Sequence, residues 1–182
     1  ASDIRVAIDL ADRYGLKLVI VGGAEAWKVK DQLAVSNTAV LISPLNNLPS
    51  DFDQLSASLE NAKLLSDAGV RLMIANGSSH NARNLTQLAG NAVAHGLPWQ
   101  EGLAAITSAP AEALGLGDKY GKIAKGMVAD VVVWDGDPLE VTSHPTQVLV
   151  DGKLMPAETR QTLLRDRYRD PGAKTQPAYR NR

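Results

Sequence analysis

The sequence predicts an α/β protein: one helix, then three strand–helix units forming a parallel sheet, then a short antiparallel β segment. Three observations carry this. The apolar runs KLVIV (17–21), TAVLI (38–42) and VRLMIA (70–75) have strand length and are continuous rather than alternating, as in strands of a parallel sheet covered on both faces. Each run is followed by a stretch with apolar residues at helical spacing, which is the βα alternation of a parallel sheet. Towards the end, the β-branched and aromatic run 131–134 and the pair 148–150 and 153–155 read as strands, with Asp151-Gly152 as a two-residue hairpin turn between the last two.

Taken in order, residues 2–14 form a helix with Ile4, Ala7, Ile8 and Ala11 on one face, Ser2 as its cap and Gly15 as its stop. The strand at 17–21 runs into Gly22-Gly23 and a helix over 24–34. The strand at 38–42 is followed by a polar loop over 43–53 and a helix over 54–67, with Leu55, Leu59, Ala62 and Leu65 on one face. The strand at 70–75 turns through Asn76-Gly77-Ser78-Ser79 into a helix over 81–94. Shorter helices follow at 100–107 and 110–114, the second opened by Pro110, whose missing N–H costs nothing in a first turn. Asp135-Gly136-Asp137-Pro138 stops the strand at 131–134. Residues 157–168 read as a helix anchored by Leu163 and Leu164. With seven Lys/Arg against three Asp/Glu, 157–182 is expected to be a solvated helix and tail.

Composition narrows the function classes. With 45% hydrophobic and 21% charged residues, the chain of 182 residues can bury a core. A net charge of −1 offers no field for nucleic acid, and no apolar run approaches the ~20 residues of a membrane span. The absence of cysteine excludes disulfides and thiolate ligands. The chain opens inside a helical pattern with no signal peptide in view, and the strands a sheet of this kind still needs are expected on another part of the same gene product, on a second chain, or replaced by self-association.

The segment from Gly121 to Met155 carries a resemblance. A Gly-x-Ile, then Gly-Met-Val-Ala-Asp before an apolar strand, then the hairpin Val-x-Val-Asp-Gly-Lys, resembles the closing segment of the amidohydrolase superfamily. The resemblance implies the C-terminal part of a (β/α)8 TIM-like barrel, three parallel strand–helix units over 1–117. Part of a small composite β-sandwich would follow over 118–156, and a C-terminal helix and tail over 157–182. It implies a metal-dependent hydrolase of C–N bonds in cyclic amides or related small molecules, of the imidazolonepropionase-like kind. The metal, such as zinc, lowers the pKa of bound water, and a carboxylate beside it takes the proton. The same resemblance puts a histidine ligand at the end of the first strand, where this chain has Gly22. It puts an aspartate at the end of the third, where this chain has Gly77, or Asn76 or Ser78 in a slipped register. Glycine cannot ligate, so no metal or other cofactor is expected in this chain, and zinc is expected only in a complete family member.

His80, just past the third strand, is the candidate catalytic residue, as a ligand or substrate contact; the plainer reading is a capping or hydrogen-bonded histidine. His95 at a helix C-terminus and His144 in a loop read as structural. Gly22-Gly23 and Gly77-Ser78-Ser79 are strand–helix junctions where free N–H groups could bind an anion, against the commoner reading of turn and packing glycines. Glu25 suits the first turn of its helix, and Trp27, Trp99 and Trp134 suit packing. Two functions compete: the family hydrolase, with its ligands mainly outside this chain, and a catalytically silent homologue that binds a ligand or a partner subunit. Three parallel strands leave two edges open, and with helices on the outer side only, the other face is bare. Self-association, or cover by an N-terminal half-barrel, is therefore expected.

Overall fold

A computed structural model describes residues 1–46, 49, 51–77 and 79–169. Three strands, β1 (Val19–Val21), β2 (Ala39–Ile42) and β3 (Leu72–Ile74), form a parallel sheet in the order β1-β2-β3. A second sheet, β4 (Val131–Trp134), β5 (Pro145–Val150) and β6 (Lys153–Leu154), is antiparallel in the order β4-β5-β6. The parallel order and the α/β class follow the sequence expectation, as does the hairpin. Asp151 and Gly152 take φ of 50° and 72°, the left-handed pair that a type I′ turn needs. Asp130 accepts the Asp151 N–H at 2.8 Å and so fixes the turn.

Helix α1 (Ser2–Tyr14) ends where Gly15 takes φ 63° and returns its N–H to the last carbonyls. Ser2 lies inside the first turn and its hydroxyl turns to Asp3, so it is not the cap expected from sequence. The stretch after β1 divides into a 3-10 turn (Ala26–Val29) and α2 (Lys30–Val35). Helix α3 covers only Asn61–Asp67, not 54–67. The shortening has a tertiary cause. The N–H of Ser56 goes to the Glu25 carboxylate and its carbonyl takes the indole N–H of Trp27, so neither serves a helical ladder. Leu55, expected on an apolar face, is exposed as a result. A 3-10 turn (Ser79–Asn84) leads into α4 (Leu85–Ala94), followed by α5 (Trp99–Ala104), α6 (Ser108–Ala113) and α7 (Arg160–Tyr168). On α7, Leu163 is half-exposed and Leu164 is 38% exposed, so neither is the buried anchor expected from sequence. Residues 170–182 of the expected tail lie outside the described residues.

Strand alternation sorts the parallel sheet into two faces. Ile20, Val40, Ile42, Leu72 and Ile74 pack with Ile4, Ile8, Leu33, Leu65 and Leu88 of the helices. Val19, Ala39, Leu41 and Met73 point the other way and meet Ala109 and Ala113 of α6. This corrects the expectation that helices cover the outer side alone: small residues on α6 let it sit on the second face.

The two sheets are joined through the loop after β4. Leu139 is buried in the main core, and Asp137 accepts the Trp99 indole N–H at 2.8 Å and the Leu139 N–H at 2.9 Å. A Cβ added at Gly90 would lie 2.1 Å from the Leu139 carbonyl oxygen, so α4 touches this loop backbone to backbone. Among the described residues no helix is long and apolar enough to cross a membrane.

Candidate functional site

A cavity of about 420 Å³ opens at the C-terminal end of β1, lined by Val19, Val21, Gly22, Gly23, Glu25 and Gln54 among others. The C-terminal ends of parallel strands are where such sheets bind ligands. Gly22 takes φ 100° with open space around a would-be Cβ, so the backbone turn explains it. Gly23 takes φ 49°, and a Cβ there would stand 3.0 Å from Val40 Cγ1 and 3.2 Å from Ala26 Cβ. Conformation and packing both require that glycine.

Glu25 and Asn61 hold the wall. Asn61, 5% exposed at the start of α3, accepts the Trp27 N–H at 3.1 Å and donates to the Gly23 carbonyl at 3.0 Å. The Glu25 side chain is 11% exposed and accepts the Ser56 N–H at 2.8 Å, with Lys28 Nζ at 3.4 Å. The Ser56 hydrogen bond, then Lys28, hold its carboxyl below the ordinary 4.5 against the opposing cost of burial. A depressed folded pKa gives stability that is present above the unfolded value and lost as pH falls through the folded one. Glu25→Gln is therefore expected to lower stability at neutral pH and to flatten the acid limb of the stability curve below 4.5, read by urea titration across that range.

The Gly22 N–H donates to the Leu41 carbonyl at 2.9 Å, which corrects the expectation of a free amide at this junction. The Glu25 carboxylate beside it also disfavours an anion. Gly77, Ser79 and His80 are exposed and do not line this cavity; Ser78 lies outside the described residues. His80 sits in the 3-10 turn before α4. His95 Nδ1 lies 2.8 Å from the Asn91 carbonyl, and His144 Nδ1 lies 3.8 Å from Asp135, both well apart in sequence from the cavity wall. The structure thus brings Gly22 and Gly23 into one wall and leaves the second junction outside it. Sequence reasoning missed Asn61, Ser56 and Asp137. Ser56 reaches Glu25 and Trp27, and Asn61 reaches Gly23 and Trp27, 29 to 38 residues away in sequence. Asp137 meets Trp99 38 residues away, and no local pattern announces such pairs.

These residues do not fit a metal ion. The β1 end carries Gly22, and among the described residues no group of three or more His, Asp or Glu side chains is placed to hold one. The purified chain, dialysed and then analysed for metals, is expected to retain no stoichiometric zinc; a tightly held equivalent would overturn this.

A model of the amidohydrolase family matches residues 63–156. An amidohydrolase of Hapsidospora irregularis, tasK, is 42% identical over 91 residues, which make up 50% of this chain and 9% of that protein. The crystal structure of an amidohydrolase from Thermotoga maritima superposes with a TM-score of 0.78 at 32% identity, over 85% of this chain and 40% of that one. A zinc-bound adenosine deaminase from Xanthomonas campestris shares the fold, with a TM-score of 0.59 at 21% identity over 87% of this chain and 43% of its own. The chain therefore spans well under half the length of these relatives. With a family match over more than half of its residues, from α3 through the antiparallel sheet, the chain belongs to the amidohydrolase family.

Proposed function

We propose that this chain forms the C-terminal part of an amidohydrolase-type (β/α)8 barrel over 1–117, with part of the composite β-sandwich over 118–156 and a terminal helix and tail over 157–182. The whole protein then hydrolyses C–N bonds in cyclic amides or related small molecules, with any divalent metal held by residues outside this chain. The likeness to the Thermotoga maritima amidohydrolase over 85% of the chain carries this reading. Here the chain supplies a wall of the substrate cavity, the Gly22-Gly23 turn braced by Asn61 and Glu25, and a strand platform beneath it. The gene product of family length, supplied with zinc, is expected to open members of a panel of cyclic amides. Folded, metal-loaded protein that opens none of them would overturn the hydrolase reading.

A second reading has its own observation. Gly22 stands where the resemblance puts a histidine ligand, and the cavity at that strand end is lined by the carboxylates of Asp3 and Glu25 but by no histidine. This favours a catalytically silent homologue that keeps the fold and binds a ligand or a partner subunit. Binding of cyclic amides without turnover, by calorimetry on the same gene product, would decide for it.

A further inference from the structure

Just past β3 lies a pair of residues with a chemistry of its own. Asn76-Gly77 is the one place in the chain where an asparagine precedes a glycine. An asparagine carboxamide stands within reach of the next backbone nitrogen, and a five-membered ring closes if that nitrogen can approach. Glycine permits the approach, because it has no Cβ in the way and few backbone conformations closed to it.

The structure leaves this pair open. The rungs from β3 to β2 end one residue earlier, where the Ala75 N–H donates to the Ile42 carbonyl at 3.1 Å. Asn76 is partly buried and Gly77 exposed, and both lie outside any strand or helix. Nothing lies within 4 Å of a Cβ built on Gly77. Among the described residues no backbone carbonyl takes the Gly77 N–H. Asn76 Nδ2 donates to the Asn81 carbonyl at 3.0 Å, which ties the end of β3 to the 3-10 turn that carries His80. The two Asp-Gly pairs differ. At Asp151-Gly152 the glycine N–H is spent on the Ala129 carbonyl at 2.9 Å. At Asp135-Gly136 a Cβ on the glycine would stand 2.7 Å from Ser143 Oγ, so the peptide is hemmed in. Both also present carboxylates at neutral pH, which resist a nucleophile as an amide does not.

We propose that Asn76 is a modification site, converted without an enzyme to aspartate and isoaspartate through a succinimide formed with Gly77. Hydroxide takes the Gly77 N–H proton, the nitrogen adds to Asn76 Cγ, and the Cγ–Nδ2 bond breaks. The leaving nitrogen takes a proton from water and departs as ammonia. Water then opens the ring at either carbonyl. Cleavage of the new Cγ–N bond gives aspartate, and cleavage at the Asn76 main-chain carbonyl gives isoaspartate. The sum is one water consumed and one ammonia released, with no change of oxidation state. Either product carries a carboxylate, which cannot donate to the Asn81 carbonyl. Isoaspartate also runs the main chain through one extra carbon. The end of β3 is thereby uncoupled from the turn that holds His80. None of this depends on the hydrolase reading, which gives Asn76 no role.

The gene product that carries this chain, held folded at mildly alkaline pH, provides the test. Ion-exchange chromatography follows its charge, and peptide mapping separates isoaspartate from aspartate. One acidic species should accumulate, matched by released ammonia, with the change at Asn76 and a rate that rises with hydroxide. The hydrogen bond to Asn81 restrains the carboxamide only modestly, so the folded rate should stay within about tenfold of the rate in guanidinium. Gly77→Ala meets no neighbour in the fold and should slow the conversion by at least about tenfold. Asn76→Gln, whose ring would need six members, should abolish the acidic species. A folded rate more than about tenfold below the unfolded one, conversion at other asparagines first, or a rate indifferent to Gly77→Ala overturns the proposal.

Discussion

Gly90→Ala is expected to destabilise the chain by about 3 kcal/mol, although the substitution adds a better helix former to the middle of α4. Intrinsic propensity alone would favour alanine by about 1 kcal/mol, so propensity and packing predict opposite signs. Packing wins because the new Cβ would lie 2.1 Å from the Leu139 carbonyl oxygen and 3.2 Å from its carbon. The obstacle is backbone, so no rotamer change relieves it. Relief requires α4 to move off the loop that carries Leu139 and Asp137, and that loop is the joint between the two sheets. At roughly 2–4 °C per kcal/mol for a chain of this size, the melting temperature should fall by about 10 °C. Two comparisons isolate the cause. Gly77→Ala, with nothing within 4 Å of its Cβ, should be nearly neutral. Gly102→Ala meets Val93 Cγ2 at 2.6 Å, a side-chain methyl that can turn away, and should fall between. An unchanged or raised melting temperature for Gly90→Ala would mean that α4 and the loop are not in backbone contact.

That joint marks the limit of what the sequence discloses. Continuous apolar runs are local, so KLVIV, TAVLI and VRLMIA reveal β1, β2 and β3 and their parallel pairing. The hairpin is legible because Asp151-Gly152 states its own dihedrals. The helix read over 54–67 fails because Ser56 spends its peptide on Glu25 and Trp27, 31 and 29 residues away, and composition carries no trace of that. Gly90 reads as an unremarkable helix glycine until Leu139 is known to lie against it. The candidate site divides in the same way. Gly22 and Gly23 are visible as a strand-to-helix turn, and the structure puts them in a cavity wall. What braces that wall, Asn61 and Ser56, belongs to the next strand–helix unit and emerges only when the units are side by side. The cover of the second sheet face by Ala109 and Ala113 is equally silent in sequence, since small residues on α6 give no amphipathic signal.

Asn61→Leu is expected to cost about 3 kcal/mol. Asn61 is 5% exposed and fills two roles at once, accepting from the Trp27 N–H and donating to the Gly23 carbonyl. Leucine has the same branched heavy-atom skeleton but leaves both backbone groups unpaired in a part-buried setting, at roughly 1–3 kcal/mol each. The loss should also loosen the Gly22-Gly23 turn, which Asn61 ties to α3. Asn61→Asp separates hydrogen bonding from shape. A charged carboxylate can accept from Trp27 N but can only repel the Gly23 oxygen, 3.0 Å from the present amide nitrogen. A protonated carboxyl can do both jobs. Burial and the facing carbonyl raise the folded pKa of the introduced acid above its unfolded value of about 3.9. The sign then follows: the variant binds protons more tightly when folded, so its deficit relative to the parent is smallest below the unfolded pKa and grows as pH rises through the folded one. Urea titrations of parent and variant at acid and neutral pH, compared as differences, cancel the titration of Glu25 next to the same loop. A deficit that stays constant with pH, or that shrinks as pH rises, would show that Asn61 does not donate to Gly23 and that the wall of the cavity is held by Glu25 and Trp27 without it.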